Sequence, residues 1–202
     1  TSEEEAIRLL ANRIYHVPNT IDNYQTSNVY LSGDVKTKLD VAKETAKRNS
    51  IFNKNVIALE KVIPLDIPAH DITIHCYSSW LPKEVVKDFI KTILGDNCNP
   101  ILTYSLNQWF LKIGGYVPSQ IQHNECGTKN FPASKVIENM YMGKDLIVKL
   151  PDGKGGYIID HEQTLLIQSH AESIQTIFKM WVFSDHKRTL QISEIYNDRF
   201  NR

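Results

Sequence analysis

The sequence predicts a mixed α+β protein, in which an N-terminal helical part is followed by a small, mostly antiparallel sheet packed with helices. Three observations point there. Several stretches carry apolar residues at helical spacing, others alternate or cluster strand-favouring residues between turn signals, and a proline-punctuated stretch separates the two kinds. That stretch is Leu65-Asp66-Ile67-Pro68-Ala69-His70. It places residues 1–66 in an N-terminal helical subdomain with a wing-like element and residues 67–202 in an α+β subdomain.

In the N-terminal part, Ser2 and Glu5 have capping-box spacing and are followed by Ile7, Leu9, Leu10 and Ile14, which predicts a short helix over about 3–13. Residues 15–17 and 24–30, separated by Pro18-Asn19-Thr20-Ile21-Asp22-Asn23, read as a small hairpin, a wing beside the helix. Ser32 is the expected N-cap of a helix that buries Val35, Leu39, Ala42 and Ala46 and turns Lys36, Lys38, Lys43 and Lys47 outward. A loop at Asn49-Ser50 leads to a second helix from about Asn53, through Val56, Ile57, Leu59 and Val62, that Pro64 ends. No second copy of this helical pair exists in the chain.

Beyond the boundary, residues 72–77 alternate as a strand does, and Trp80-Leu81-Pro82 opens a helix. Val85, Val86, Phe89, Ile90, Ile93 and Leu94 form its apolar stripe, Lys83, Lys87 and Lys91 lie opposite, and Gly95 closes it. Residues 101–106 and 109–113 flank an Asn107-Gln108 turn in the strongest sheet signal of the chain. A helix over 133–141, strands over 146–150 and 157–160, a long helix over about 162–182 and a last helix over about 187–200 complete the reading. The long helix is expected to bury Leu166, Ile174, Ile177, Phe178, Trp181 and Val182.

Composition narrows the function. With 42% hydrophobic and 23% charged residues the chain of 202 residues is neither a disordered tail nor a membrane protein. Lys+Arg and Asp+Glu are equal at 23 each, which argues against a binder that works by bulk phosphate neutralisation but leaves room for a local basic face. Cys76, Cys98 and Cys126 form no CxxC pair, as in a cytoplasmic protein with inert thiols.

No chemistry-bearing motif survives inspection. Asp152-Gly153-Lys154-Gly155-Gly156 lacks the Walker pattern and runs into a strand rather than a helix, so it reads as a glycine-rich turn. His70, His75, His161 and His170 have no zinc-ligand spacing, and Asp160-His161-Glu162 reads as a helix start. No catalytic residue, metal site or cofactor is therefore expected. The best candidates for binding are aromatic and basic side chains that could stack on bases and neutralise phosphates: Trp80, Lys83, Lys87, Lys91, Tyr104, Trp109, Lys112 and Lys129.

Several segments, in order, resemble the region between an adenine-specific DNA methylase domain and a Swi/Snf-type helicase domain in very large proteins of phages, plasmids and conjugative elements. Tyr30-Leu31-Ser32-Gly33-Asp34-Val35-Lys36-Thr37-Lys38-Leu39 is similar to YLSGNVREKL, and Asn55-Val56-Ile57-Ala58-Leu59-Glu60-Lys61-Val62-Ile63-Pro64 to NVEALEAVQP. Trp80-Leu81-Pro82 resembles a WIP helix start, Gly127-Thr128 a YGT element with Cys126 for tyrosine, and Phe178-Lys179-Met180-Trp181 an F-x-x-W. Tyr196-Asn197-Asp198-Arg199-Phe200-Asn201 resembles the YN-x-x-FN that leads into the helicase. The resemblance implies an excised internal segment, in keeping with the absence of an initiator methionine, that connects and orients catalytic neighbours and contacts DNA. Its partners would be DNA and the flanking methylase and helicase domains. A protein-interaction scaffold and an uncharacterised nuclease are the alternative readings.

Overall fold

The computed structural model describes residues 5–6, 9–11, 13–18 and 24–201, and its fold is α+β. Two compact units are present, one of residues 1–67 with 196–202 and the other of residues 68–195. Among the described residues the strands form three separate two-stranded antiparallel sheets, one of them the wing expected in the first unit and the other two in the second unit. None of the described helices is long and apolar enough to cross a membrane.

In the first unit, β1 (Ile14–His16) pairs with β2 (Tyr24–Thr26). The expected capping box and parts of the helix over 3–13 lie outside the described residues, as do residues 19–23 of the wing. The second arm of the wing is shorter than the sequence suggests, because Ser27–Tyr30 coils into α1. Next comes α2 (Val35–Arg48), which buries Val35, Leu39 and Ala42, and a 3₁₀ turn leads to α3 (Asn53–Glu60). Asp34, not Ser32, is the N-cap: its carboxylate accepts the Thr37 amide at 3.1 Å, while the Ser32 hydroxyl donates back to the Asn28 carbonyl at 2.7 Å. Two positions decide this, because a cap must reach an amide of the first turn, and Ser32 precedes Gly33, whose φ of 75° turns the chain.

The core of this unit joins Tyr15, Tyr30, Val35, Leu39, Ala42 and Leu59. Tyr15 and Tyr30 stack with centroids 5.1 Å apart. Buried Asn55 ties the layers together, its amide nitrogen donating to the His16 carbonyl at 2.7 Å and to the Tyr30 hydroxyl at 2.9 Å.

In the second unit, residues 72–76 keep the predicted alternation, with Ile72, Ile74 and Cys76 buried, yet they pair with no strand among the described residues. The Gln175 side chain takes the partner's place. Its Nε2 donates to the Ile74 carbonyl at 2.8 Å and its Oε1 accepts the Cys76 amide at 2.9 Å, the two bonds that a neighbouring strand would make.

Helix α4 (Lys83–Leu94) follows Pro82 and ends at Gly95, whose φ of 97° suits a glycine. It packs on β3 (Cys98–Ser105), which forms a hairpin with β4 (Gln108–Gly115). Ser105 pairs with Gln108, so the turn residues are Leu106 and Asn107, one position earlier than predicted. Both have positive φ, 51° and 58°, as a two-residue hairpin turn of matching twist requires.

The hairpin's edges are closed at one register. Ile113 sends its amide to Glu138 Oε1 at 2.8 Å, and its partner across the ladder is Pro100, which has no amide to offer. Glu138 belongs to α5 (Ala133–Tyr141), which packs on β4. Then come β5 (Lys149–Pro151), β6 (Tyr157–Ile159), α6 (His161–Ser184) and α7 (His186–Phe200), the last of which ends in the first unit.

On α6 the buried positions are Thr164, Ile167, Ala171, Ile174, Phe178 and Val182. Leu166 and Ile177, expected in the core, are exposed, and Trp181 is half-buried. The true stripe steps by three and four residues from Thr164; Leu166 and Ile177 lie off it, so apolar character alone misplaced them. Phe178 closes on Phe89 of α4 with centroids 4.8 Å apart.

Candidate functional site

The candidate binding residues do not converge on one surface. Trp109 is buried, donates its indole N–H to the Ser78 carbonyl at 3.3 Å and packs at a steep angle against the ring of Tyr104, so it is not available to stack on a base. Trp80 is half-buried. Lys83 and Lys91 are exposed on α4, but Glu84 and Asp88 are exposed on it too, and Lys87 sits 3.3 Å from the Glu84 carboxylate. Lys112 is exposed beside Ile101 on the outer face of the hairpin, 3.7 Å from Glu138, whereas Tyr104 lies on the opposite face with Trp109. Strand alternation separates the two, because residues 104 and 112 belong to opposite parity sets of the same ladder. Lys129 is exposed next to Thr128.

The Cys126-Gly127-Thr128 element is structural. A Cβ on Gly127 would collide with backbone atoms of Ala133 and Gln122, and buried Thr128 exchanges backbone bonds with Phe131 at 2.8 and 3.2 Å. Phe178 and Trp181 are likewise packed with Phe89. In the glycine-rich turn the Asp152 carboxylate accepts the Lys154 amide at 2.7 Å and the Gly156 amide at 2.8 Å, which holds its pKa below the usual range. The loop's amides thus already have an anion of their own, which agrees with a turn and not a phosphate cradle.

A concavity opens elsewhere. A cleft of about 920 Å³ opens in the second unit beside the Tyr104–Trp109 end of the hairpin. One wall carries His75 and Tyr77, stacked with centroids 5.3 Å apart, and Asn139 and Tyr141 of α5 line it as well. Gln108 closes part of its edge by donating to the Met142 carbonyl at 2.6 Å. Lys144 and Glu172 line it with opposite charges.

Beside the cleft the Tyr141 hydroxyl meets the Cys76 thiol. Burial pushes the thiol up to about 12, and burial together with Cys76 raises the Tyr141 phenol well above its ordinary value. Both remain protonated at neutral pH. Neither is thus primed as a nucleophile or general base, since a working group of either kind needs a pKa moved toward the operating pH. Burial also raises Cys98 and Cys126. No cluster of three or more His, Cys, Asp or Glu able to hold a metal occurs among the described residues.

Sequence reasoning missed Asn139, Tyr141 and Gln175. For Gln175 a signal existed: it interrupts the apolar face of α6 between Ala171, Ile174 and Phe178, where a polar side chain needs a partner.

Residues 77–202 match the family model described as a domain of unknown function, DUF8437. No curated protein and no solved structure matches the chain.

Proposed function

The chain belongs to the DUF8437 family of domains, and we propose that it serves as a non-catalytic connecting module of a DNA methylase–helicase protein, orienting its neighbours and touching duplex DNA through exposed lysines. The observation that carries the reading is how the polar residues of the resembling motifs are used. Lys38 donates to the carbonyls of Val29, Tyr30 and Ser32 at 2.6–3.1 Å. Asp34 caps α2, a role in which asparagine serves equally. Asn55 joins β1 to Tyr30. Asn197 and Asn201 bind the backbone of Ile67 and Leu65. These groups hold main chain in position, which suits a spacer.

In sequence, the second unit lies between the two segments that make up the first.

The DNA-contact half rests on Lys83, Lys91, Lys112 and Lys129, which are exposed. Anisotropy titration with random duplex should show weak binding that falls with salt, with a log–log slope of about −2 to −3 if three phosphates are neutralised. The double variant Lys83→Glu, Lys91→Glu should lower that slope; no binding at low salt rejects DNA contact. The connecting half predicts methylase motifs upstream and helicase motifs downstream in the parent gene, and a gene with neither overturns it.

A second reading, a protein-interaction scaffold, draws on Tyr157, Ile158, Ile159, Leu165 and Leu166, all exposed around the start of α6. Capture of separately expressed flanking domains, lost on Ile158→Ser with Leu165→Ser, would favour it; equal capture by that variant would discount it.

A further inference from the structure

Asn139, which lines the cleft beside Trp109, carries a buried side-chain oxygen, Oδ1, without a hydrogen-bond partner among the described residues, whereas the neighbouring Tyr141 hydroxyl has the Cys76 thiol. Asn139 is 6% exposed, and buried polar groups in folded proteins are overwhelmingly paired, so an orphaned acceptor on a residue that lines a concavity asks for an explanation. Asn139 is held by its other end: Nδ2 donates to the Asp145 carbonyl at 2.9 Å, which leaves a carbonyl-type acceptor fixed in place. What that acceptor lacks is an N–H donor. Met140 and Met142, which change rotamer at little cost, line the same wall and let the floor adapt.

Aromatic surface borders the same space. Tyr77 is 43% exposed and stacked on His75, and Tyr104 is 37% exposed and set at 65° to the ring of Trp109. The rings are partly backed by protein and open on the cleft, as stacking platforms are. Lys144 and Glu172 give the lining one charge of each sign, so it does not select an anion. A volume of about 920 Å³ lies within the range of small-molecule sites.

A neutral flat ring with an N–H donor on its edge meets both demands. We infer that the cleft binds a nucleobase carrying an exocyclic amine, as adenine and cytosine do, with the ring against Tyr77 and Tyr104 and the amine donating to Asn139 Oδ1. The base can come from a free nucleoside or from an unpaired position in a single strand; the recognising chemistry is the same. This inference does not rest on the connecting-module reading, and it differs from the lysine contacts in being insensitive to salt for a nucleoside.

The test is a ¹H–¹⁵N NMR titration of the whole 202-residue chain with adenosine, cytidine and uridine, and with short oligodeoxyadenylate and oligothymidylate strands. Adenosine and cytidine should shift the amides around Tyr104, Asn139 and Tyr141 saturably. Uridine has no exocyclic amine, and its edge N3–H lies between two carbonyls that repel the Asn139 oxygen, so it should bind about tenfold more weakly. Tyr77→Ala or Tyr104→Ala, both at partly exposed sites, should each weaken adenosine about tenfold by removing a stacking surface. Asn139→Leu should abolish the preference for cytidine over uridine; should it unfold the chain, the nucleoside series carries that test alone. Saturation by nucleoside alone assigns the cleft to free nucleosides, tighter binding of the adenine strand assigns it to unpaired bases, and both support the inference. It is overturned if no nucleoside or strand saturates at millimolar concentration, if uridine binds as tightly as cytidine, or if both tyrosine variants keep full affinity.

Discussion

Asn197 and Ile67 exchange two hydrogen bonds: the Ile67 amide donates to Asn197 Oδ1 at 2.7 Å, and Asn197 Nδ2 donates back to the Ile67 carbonyl at 3.0 Å. Asn201 adds a bond to the Leu65 carbonyl at 2.8 Å, and Lys36 reaches the Asn197 carbonyl at 3.4 Å and Asp66 at 3.3 Å. The end of the last helix is thereby fastened to the stretch that leaves the helical unit. Asn197 is 4% exposed, so water does not replace these bonds.

Asn197→Leu should cost about 2–4 kcal/mol, since it leaves a backbone donor and acceptor of Ile67 unpaired. Urea denaturation measures the loss, and hydrogen exchange at the Ile67 amide should speed up more than at amides of α4. An unchanged midpoint would show that the clamp contributes nothing.

Gln175→Leu tests the side chain that stands in for a strand. The substitution nearly conserves volume but removes both bonds to residues 74 and 76, with an expected loss of about 2–4 kcal/mol. Gln175→Glu should recover only part of it, because a carboxylate accepts the Cys76 amide but has no N–H for the Ile74 carbonyl. Equal stability of all three proteins would contradict the geometry.

Glu138 separates a backbone contact from an ion pair. Glu138→Gln keeps an oxygen for the Ile113 amide and gives up only the contact with Lys112, whose side chain is 78% exposed, so the change should stay below about 1 kcal/mol. Glu138→Ala orphans the amide and should cost about 1–3 kcal/mol. Thermal melts of the two variants should differ accordingly.

Alkaline pH should destabilise the second unit through Cys76 and Tyr141. In the folded protein both hold their protons more tightly than the unfolded chain does, the Cys76 thiol to about 12 against an ordinary 9.0. Above pH 9 the unfolded state therefore binds fewer protons than the folded one, and stability falls with pH. The Cys76 share is fully present below the unfolded pKa and is lost on the way to the folded one, at a slope of about 1.4 kcal/mol per pH unit. Cys76→Ala should flatten the curve between pH 9 and the folded value, measured as urea midpoint against pH. Native Cys76 should also resist iodoacetamide at pH 8, while half-exposed Cys126 reacts first.

Much of the architecture was legible in the residues. The stripe Val85, Val86, Phe89, Ile90 and Leu94 is the buried face of α4, and the hairpin around residue 107 forms within one position of its expected turn. The cleft was not legible. It is assembled from residues near 75, 104–109, 139–146 and 171–176, and no spacing in the chain links those stretches.

Read alone, the amino-acid order determined which runs coil and which take extended backbone, because periodicity and turn chemistry act over neighbouring residues. The tertiary structure decided what satisfies and covers them. Residues 72–76 alternate like a strand, but their partner is a glutamine 99 and 101 positions away, and Trp109 is sealed by Tyr104 and the Ser78 carbonyl instead of being presented to a ligand. A side chain's direction is a local property of the backbone, whereas its exposure and the pairing of a buried amide depend on whatever distant segment the fold brings against it.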